Sequence, residues 1–188
     1  MIPQVDGDVV RRAQRGDEEA FSVIVRTYQK PIFSYVLRAV ADRELAEDLT
    51  QEVFLRAWRS LPNYAFRSQL STWLYQVAKN LIFDERRNRS TRPPVCELVP
   101  ESGPAALDPP IELTETIEEL WAAIEELRPE LKLPLLLRDV AGLSYKEIAE
   151  TLDTSLANVK WRIYKARERV QLALAPKGVT EALGGAGA

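Results

Sequence analysis

The sequence has no histidine and a single cysteine, Cys96. The first absence removes the commonest general base and the commonest metal ligand, so most hydrolase and metalloenzyme readings lose their usual parts. A helical di-iron site built on Glu-x-x-His pairs is excluded outright. One thiol forms neither an internal disulfide framework nor a zinc knuckle, and the simple reading of Cys96 is a solvated thiol in a linker. Glycine is scarce: eight residues, four of them in the last eleven, none in a loop that could cradle a phosphate. No apolar run approaches the roughly 18 residues that a membrane-spanning helix needs. The first residues, MIPQVDGDVVRRAQRGDEEAF, lack the basic-then-apolar order of a secretory signal. A cytoplasmic protein is expected, with no catalytic residue, metal, cofactor or membrane insertion.

What is present fits a soluble globular chain: 188 residues, 46% apolar and 28% charged, enough for one medium domain or two small ones. The net charge of −3 and pI near 5.3 hide a segregation of charge. Pro93 to Leu127 holds nine acidic residues and no Lys or Arg; Thr154 to Arg169 holds five basic residues against one Glu. Binding follows the local field at a surface, so the second stretch is the one to examine for an anionic partner.

Residues 6–90 read as helices throughout. Apolar residues recur at helical spacing in AFSVIVRTYQKPIFSYVLRAV and LAEDLTQEVFLRAWRSL, with no strand-like alternation. Asp42 is placed to cap the second of these, Leu61-Pro62-Asn63 ends it, and a further helix is expected over Ser71 to Arg89. Residues 91–111 carry a cluster of prolines without periodicity and read as an extended linker. Residues 112–175 give four helices, near Glu112–Leu127, Glu130–Ala141, Tyr145–Leu152 and Ser155–Ala173, and 176–188 reads as a disordered tail. The expectation is an all-α chain of two small helical domains. Pro134 interrupts LKLPLLLRDVAG, and a late helix start near Leu133 is expected because proline lacks an N–H and crowds the preceding turn.

The sharpest local pattern is GLSYKEIAETLDTSLANVKWRIYKARERV, which reads as a helix-turn-helix. Gly142 stops one helix, and Ser144 with Glu147 forms a capping box. Asp153 suits the turn, and Thr154 is a candidate cap for the last helix. On that helix Leu156, Val159, Ile163, Ala166 and Val170 share one sector and should face the core. The other side carries Asn158, Lys160, Trp161, Arg162, Tyr164 and Lys165. A helix of this width fits the major groove, where outward side chains reach base edges and flanking cations neutralise phosphates. A solvated basic helix would explain the charge but not Trp161 in the middle of the polar face.

Two other faces stand out. Asp48, Gln51, Glu52 and Leu55 line one side of a helix at i, i+3, i+4 and i+7; by themselves they are a solvated acidic face balanced in part by Glu52–Arg56, or a docking site for a basic partner. The helix over Ser71 to Arg89 buries Leu74, Val77, Ala78, Leu81 and Ile82, and presents Trp73, Gln76, Asn80, Asp84 and Arg87. Aromatic, amide and basic groups in one stripe suit unpaired nucleic acid, through stacking, edge reading and phosphate contact. Trp73 is equally compatible with a core position.

The helix-turn-helix resembles region 4 of extracytoplasmic-function sigma factors, LAEDLTQEVFLRAWRSL resembles region 2.2, and STWLYQVAKNLIFDERR resembles regions 2.3 and 2.4. The likeness covers about residues 8 to 172, in the family's order. It implies a transcription initiation factor in which Lys160, Trp161, Tyr164 and Lys165 face the bases of the −35 duplex, with Arg138 on the backbone. It also implies that Asp48, Gln51 and Glu52 dock on the coiled coil of the largest catalytic subunit of RNA polymerase. Region 4 would meet the polymerase flap, and Tyr64 with Asn80 would line the pocket that captures a flipped −10 base. An anti-sigma factor is implied as a further partner. Trp161 stands where the family carries a small serine, and Ala65-Phe66-Arg67 departs from its usual loop pattern. The rival readings are a stand-alone helix-turn-helix regulator, which would bind duplex DNA without polymerase, and an all-helical enzyme built on carboxylates such as Asp48, Glu52 and Asp84.

Overall fold

A computed structural model of the chain describes residues 4–91 and 111–175. The tail 176–188, Cys96 and almost all of the expected linker 91–111 lie outside the described residues. Among the described residues there are eight α-helices, one 3₁₀ turn and no strand, as the all-α expectation requires.

The first half contains α1 (Gly7–Gln14), α2 (Glu18–Val40), α3 (Arg43–Ser60), a 3₁₀ turn (Leu61–Asn63) and α4 (Leu70–Thr91). Aspartates open the first three helices. Asp6 accepts from the amide of Asp8 at 2.7 Å, Asp17 from Ala20 at 3.0 Å and Asp42 from Leu45 at 3.0 Å. Each satisfies an orphan donor of a first turn. The Ala20 amide, and then Arg12, hold the Asp17 carboxyl below its ordinary value. The core between these helices is built on Tyr28, Ile32 and Tyr35 from α2, Val53 and Ala57 from α3, and Leu74, Tyr75 and Ala78 from α4. Val77, expected to be buried with them, is half-buried.

The second half contains α5 (Ile111–Glu125), α6 (Pro129–Asp139), α7 (Tyr145–Leu152) and α8 (Leu156–Leu174). The late start expected for α6 does not occur. The helix begins at Pro129, in the first turn where a missing N–H costs nothing, and runs straight through Pro134. All seven residues from Leu131 to Leu137 are buried, six of them apolar, and that apolar burial offsets the one backbone bond lost at Pro134. In the helix-turn-helix the capping box has both of its bonds, Asp153 takes a left-handed conformation at φ 50°, and Gly142 does so at φ 75°. The cap of α8 is Ser155, not Thr154: its hydroxyl accepts from the amide of Asn158 at 3.2 Å. Leu156 also departs from expectation, 45% exposed at the first position of α8, beyond the edge of the packed sector. Val159, Ile163, Ala166, Val170 and Leu174 form the buried stripe instead.

The halves pack against each other, α4 on α7 and α2 on α6. Two tyrosines in the first core, Tyr35 and Tyr75, meet edge to face at 5.3 Å, and neither hydroxyl has a protein partner. Burial raises both phenols above their ordinary value of 10.0. The native chain therefore keeps protons that the unfolded chain releases, so their contribution to stability is intact below pH 10 and is lost as pH rises beyond it. Tyr35→Phe should leave stability at pH 7 unchanged or raise it by about 1 kcal/mol, since an unsatisfied buried hydroxyl is removed. Denaturant unfolding at pH 7 and pH 10.5 should show the wild type losing more stability between the two than the variant.

Candidate nucleic-acid interface

Three surfaces carry the residues singled out in the sequence. The first is the outer side of α8. Its packed stripe turns Trp161 and Tyr164 outward, 56% and 65% exposed, with Lys160 exposed between Val159 and Trp161. Large apolar rings held open to water beside cations mark a contact surface more than a solvated face. Asn158 donates its side-chain amide to the Thr154 hydroxyl at 2.8 Å, which steadies the helix entrance. Arg162 and Lys165 are half-buried, and Lys165 pairs with Glu168 at 2.6 Å. Arg138 is half-buried in α6: it donates to the carbonyl of Leu143 at 2.9 Å, and its guanidinium lies 4.9 Å from the centre of the Tyr145 ring. It thus also holds the turn before α7. Arg167, hydrogen-bonded to Asp139 at 2.7 Å, ties α8 to α6 and is held more firmly protonated by that contact.

The second surface is the loop before α4. Tyr64 is buried, its hydroxyl donating to the carbonyl of Ser68 at 2.6 Å. Its ring lies 5.2 Å from Trp73 and 4.8 Å from Phe66, so three aromatics form a continuous array. Asn63, Tyr64, Arg67, Trp73 and Gln76 line a cavity of about 600 Å³, and Glu150 of α7 closes one side. Trp73 is half-buried, between the core and contact readings. Asn80 and Arg87 are exposed farther along α4, and neither lines this cavity. Phe66, 46% exposed, holds a left-handed backbone at φ 54°, a conformation that is strained for a bulky residue and clusters at functional loops.

The third surface is α3. Asp48, Gln51 and Leu55 are exposed; Glu52 is half-buried and accepts from Arg56 at 2.8 Å. Arg56 also lies 3.6 Å from Asp84 of α4, so the charge of Glu52 is shared with a bridge between helices. Beside this face runs an open groove of about 690 Å³ between α2 and α3, walled by Phe21, Val25, Phe33, Phe54 and Trp58.

Known proteins share this arrangement. The family model for Sigma-70 region 2 matches residues 24–92, and that for Sigma-70, region 4 matches residues 117–170. The RNA polymerase sigma-H factor of Pseudomonas aeruginosa is 36% identical over 94% of this chain and 97% of its own length. The ECF RNA polymerase sigma-E factor of Escherichia coli K12 is 32% identical, covering 91% and 95%. The chain belongs to the extracytoplasmic-function branch of the sigma-70 family. A sigma factor is a transcription initiation factor and not an enzyme. Two solved structures share the fold of this sigma factor. One is the sigma factor RpoE in complex with the anti-sigma factor NepR from Bartonella quintana, with a TM-score of 0.69 at 19% identity over 82% of this chain and 96% of that one. The other is CnrH in complex with the cytosolic domain of CnrY, with a TM-score of 0.70 at 18% identity over 89% and 96%.

Within the sigma factor, the region 2 match spans most of α2, all of α3 and α4 and the aromatic loop, and the region 4 match runs from within α5 through α6 and α7 to within α8. Sequence reasoning missed Phe66 and the aromatic walls of the α2–α3 groove. Phe66 gave no periodic signal because it sits in a loop. Phe21 and Trp58 sit on helices, and their residual exposure is set by the angle between α2 and α3, which periodicity does not supply. No helix of the described residues is long and apolar enough to cross a membrane.

The exposed and buried sides of α8 should separate cleanly in unfolding experiments. Trp161→Ala and Tyr164→Ala should each change stability by no more than about 0.5 kcal/mol. Ile163→Ala, next to them in sequence but buried, should cost about 2–5 kcal/mol.

Proposed function

We propose that this sigma factor acts in the cytoplasm, docks on core RNA polymerase and directs it to promoters by reading two DNA elements in two ways. Region 4 places α8 in the major groove of the −35 duplex. Asn158, Lys160, Trp161, Tyr164 and Lys165 meet base edges, with Arg162 and Arg138 serving the backbone side. Region 2 captures unpaired −10 bases on the loop and α4, with Tyr64, Trp73, Gln76, Asn80 and Arg87 supplying stacking, edge contacts and charge. Asp48, Gln51, Glu52 and Leu55 form the face for the coiled coil of the largest catalytic subunit, and region 4 meets the flap. The acidic stretch between the halves disfavours duplex DNA by repulsion, so it suits a path inside polymerase toward the RNA exit.

The observation that carries this reading is the pairing, in one chain, of a groove-sized helix bearing exposed aromatics with an open cavity walled in part by Tyr64 and Trp73 and roomy enough for a nucleobase. A simple repressor has use for the first and none for the second. Strand capture stabilises an open bubble with binding energy alone, since each stacked base contributes about 1–3 kcal/mol. Both solved relatives in fold were captured with an anti-sigma factor or the cytosolic domain of a partner, and we extend that mode of control to this chain.

Purified chain and core RNA polymerase, offered a library of promoters, should start transcription at a defined subset. The chain alone should bind those duplexes weakly. Tight binding without polymerase and no promoter-specific transcription with it would favour the stand-alone regulator. On a selected promoter Trp161→Ala should reduce discrimination among −35 sequences about tenfold, a loss of one good base contact, while binding to core polymerase is unchanged.

A further inference from the structure

We infer that Gln14, from α1, is a positioning residue for strand capture: its side-chain amide holds the loop before α4 so that Tyr64 and Phe66 stand where an unpaired base can meet them. The inference rests on the assignment of strand capture to that loop. α1 itself precedes the residues matched to Sigma-70 region 2, which begin at residue 24.

Gln14 is the last residue of α1 and is half-buried. Its side-chain nitrogen donates to the carbonyl of Leu61 at 3.0 Å and to that of Tyr64 at 2.7 Å. One amide nitrogen carries two hydrogens, so a single side chain serves both acceptors. The two carbonyls bracket the 3₁₀ turn. Leu61 opens it, and the backbone amide of Tyr64 closes it on the Leu61 carbonyl at 3.0 Å. Tyr64 is extended, with φ −69° and ψ 113°, so its own carbonyl has left the bonding pattern of the turn and Gln14 supplies a donor. With its hydroxyl on the carbonyl of Ser68 at 2.6 Å, Tyr64 is fixed at both ends.

The rest of α1 gives Gln14 a firm base. Val10 and Ala13 are each 2% exposed and seat the helix in the first core. Arg11, one turn before Gln14, puts its guanidinium 5.8 Å from the centre of the Phe66 ring. α1 thus reaches the loop at two points, from residues at i and i+3. Packing alone does not fix the loop. A cavity of about 230 Å³ lies between the two, with Gly7 and Val10 of α1 and Tyr64, Phe66 and Ser71 in its walls. A loop with open space beside it, and a strained Phe66 at φ 54°, keeps its shape only where other contacts over-determine it. The two bonds of Gln14 are such contacts. Without them the loop can settle into the cavity and carry both rings along, and a binding site loses its geometry over a shift of about 0.5 Å. Gln14 does not line the cavity beside Trp73, so it acts through Tyr64 and touches no base there.

The full chain with core RNA polymerase tests this on promoter libraries varied at the −10 or the −35 element. Gln14→Met keeps the length of the side chain and removes both donors. It should reduce discrimination among −10 sequences about tenfold, the scale of two lost hydrogen bonds, with −35 discrimination and affinity for core polymerase unchanged. Val53→Ala, a buried truncation in α3, should lower the unfolding midpoint at least as far and keep −10 discrimination, which separates positioning from a general loss of stability. Gln14→Asn is one methylene shorter and reaches at most one of the two carbonyls, so it should lose about threefold. It carries the test should Gln14→Met fail to protect the −35 element, the sign of an unfolded chain. Unchanged −10 discrimination in the folded Gln14 variant, or an equal loss in Val53→Ala, overturns the inference. The strand-capture reading fails separately, when Trp73→Ala keeps wild-type −10 discrimination, and the inference then falls with it.

Discussion

Burial of Leu131 to Leu137 along α6 is the constraint on which the rest depends. A helix buried on every side over nearly two turns needs cover on every side. α8 covers one flank with Val159, Ile163, Ala166, Val170 and Leu174; α7 covers another with Ile148; and α2, from the other half, supplies more. Once α8 is pinned by that stripe its rotation is set, and Trp161 and Tyr164 have nowhere to go but outward. The same burial brings α7 onto α4. One leucine-rich helix thus fixes the direction of the exposed Trp161–Tyr164 face and the relation between the two halves.

The electrostatics follow a comparable division. A chain of net charge −3 has no general attraction for DNA. α8 carries five of the chain's 25 Lys and Arg against one Glu, and several of the chain's cations are partly neutralised at home: Lys165 by Glu168 and Arg167 by Asp139 on α8, and Arg56 by Glu52 and Asp84 on α3. What remains outward is a small basic surface with aromatic rings at its centre. Such a surface gives weak sequence-independent binding, because few phosphates are neutralised. In the proposed function, discrimination then rests on base contacts and on polymerase as a second anchor.

Much of this was legible in the residues. The helix-turn-helix could be read to the residue at α7, because a capping box, a left-handed Asp153 and a stopping Gly142 are local devices with local causes. The stripe on α8 was also legible, except at its ends. Leu156 has the right period but stands exposed at the first position of the helix, and Ser155 rather than Thr154 caps, a competition between adjacent hydroxyls that composition does not decide. The late start expected for α6 weighed Pro134 alone, although Pro129 was the better start signal and seven buried residues outweigh one lost bond. The proposed strand-capture site was half visible. Trp73 and Gln76 show helical spacing, whereas Phe66 joins the array only through a loop whose backbone turns left-handed. The contact of Gln76 with Glu150 was invisible, because it depends on how two halves meet across 74 residues of sequence.

The central claim, that one chain reads duplex through α8 and takes hold of a melted strand through α4 and its loop, is tested most directly by mapping unpaired thymines. Permanganate reactivity in the −10 element would be measured on a linear promoter with core polymerase and either wild-type chain or Trp73→Ala, alongside protection of the −35 element. Wild type should give both protection and reactivity. Trp73→Ala should keep the −35 protection, which also shows that the chain is folded, and lose reactivity by at least about fivefold, the lower end of one stacking contact. Equal reactivity from the two chains, with equal protection, would contradict the assignment of strand capture to this site.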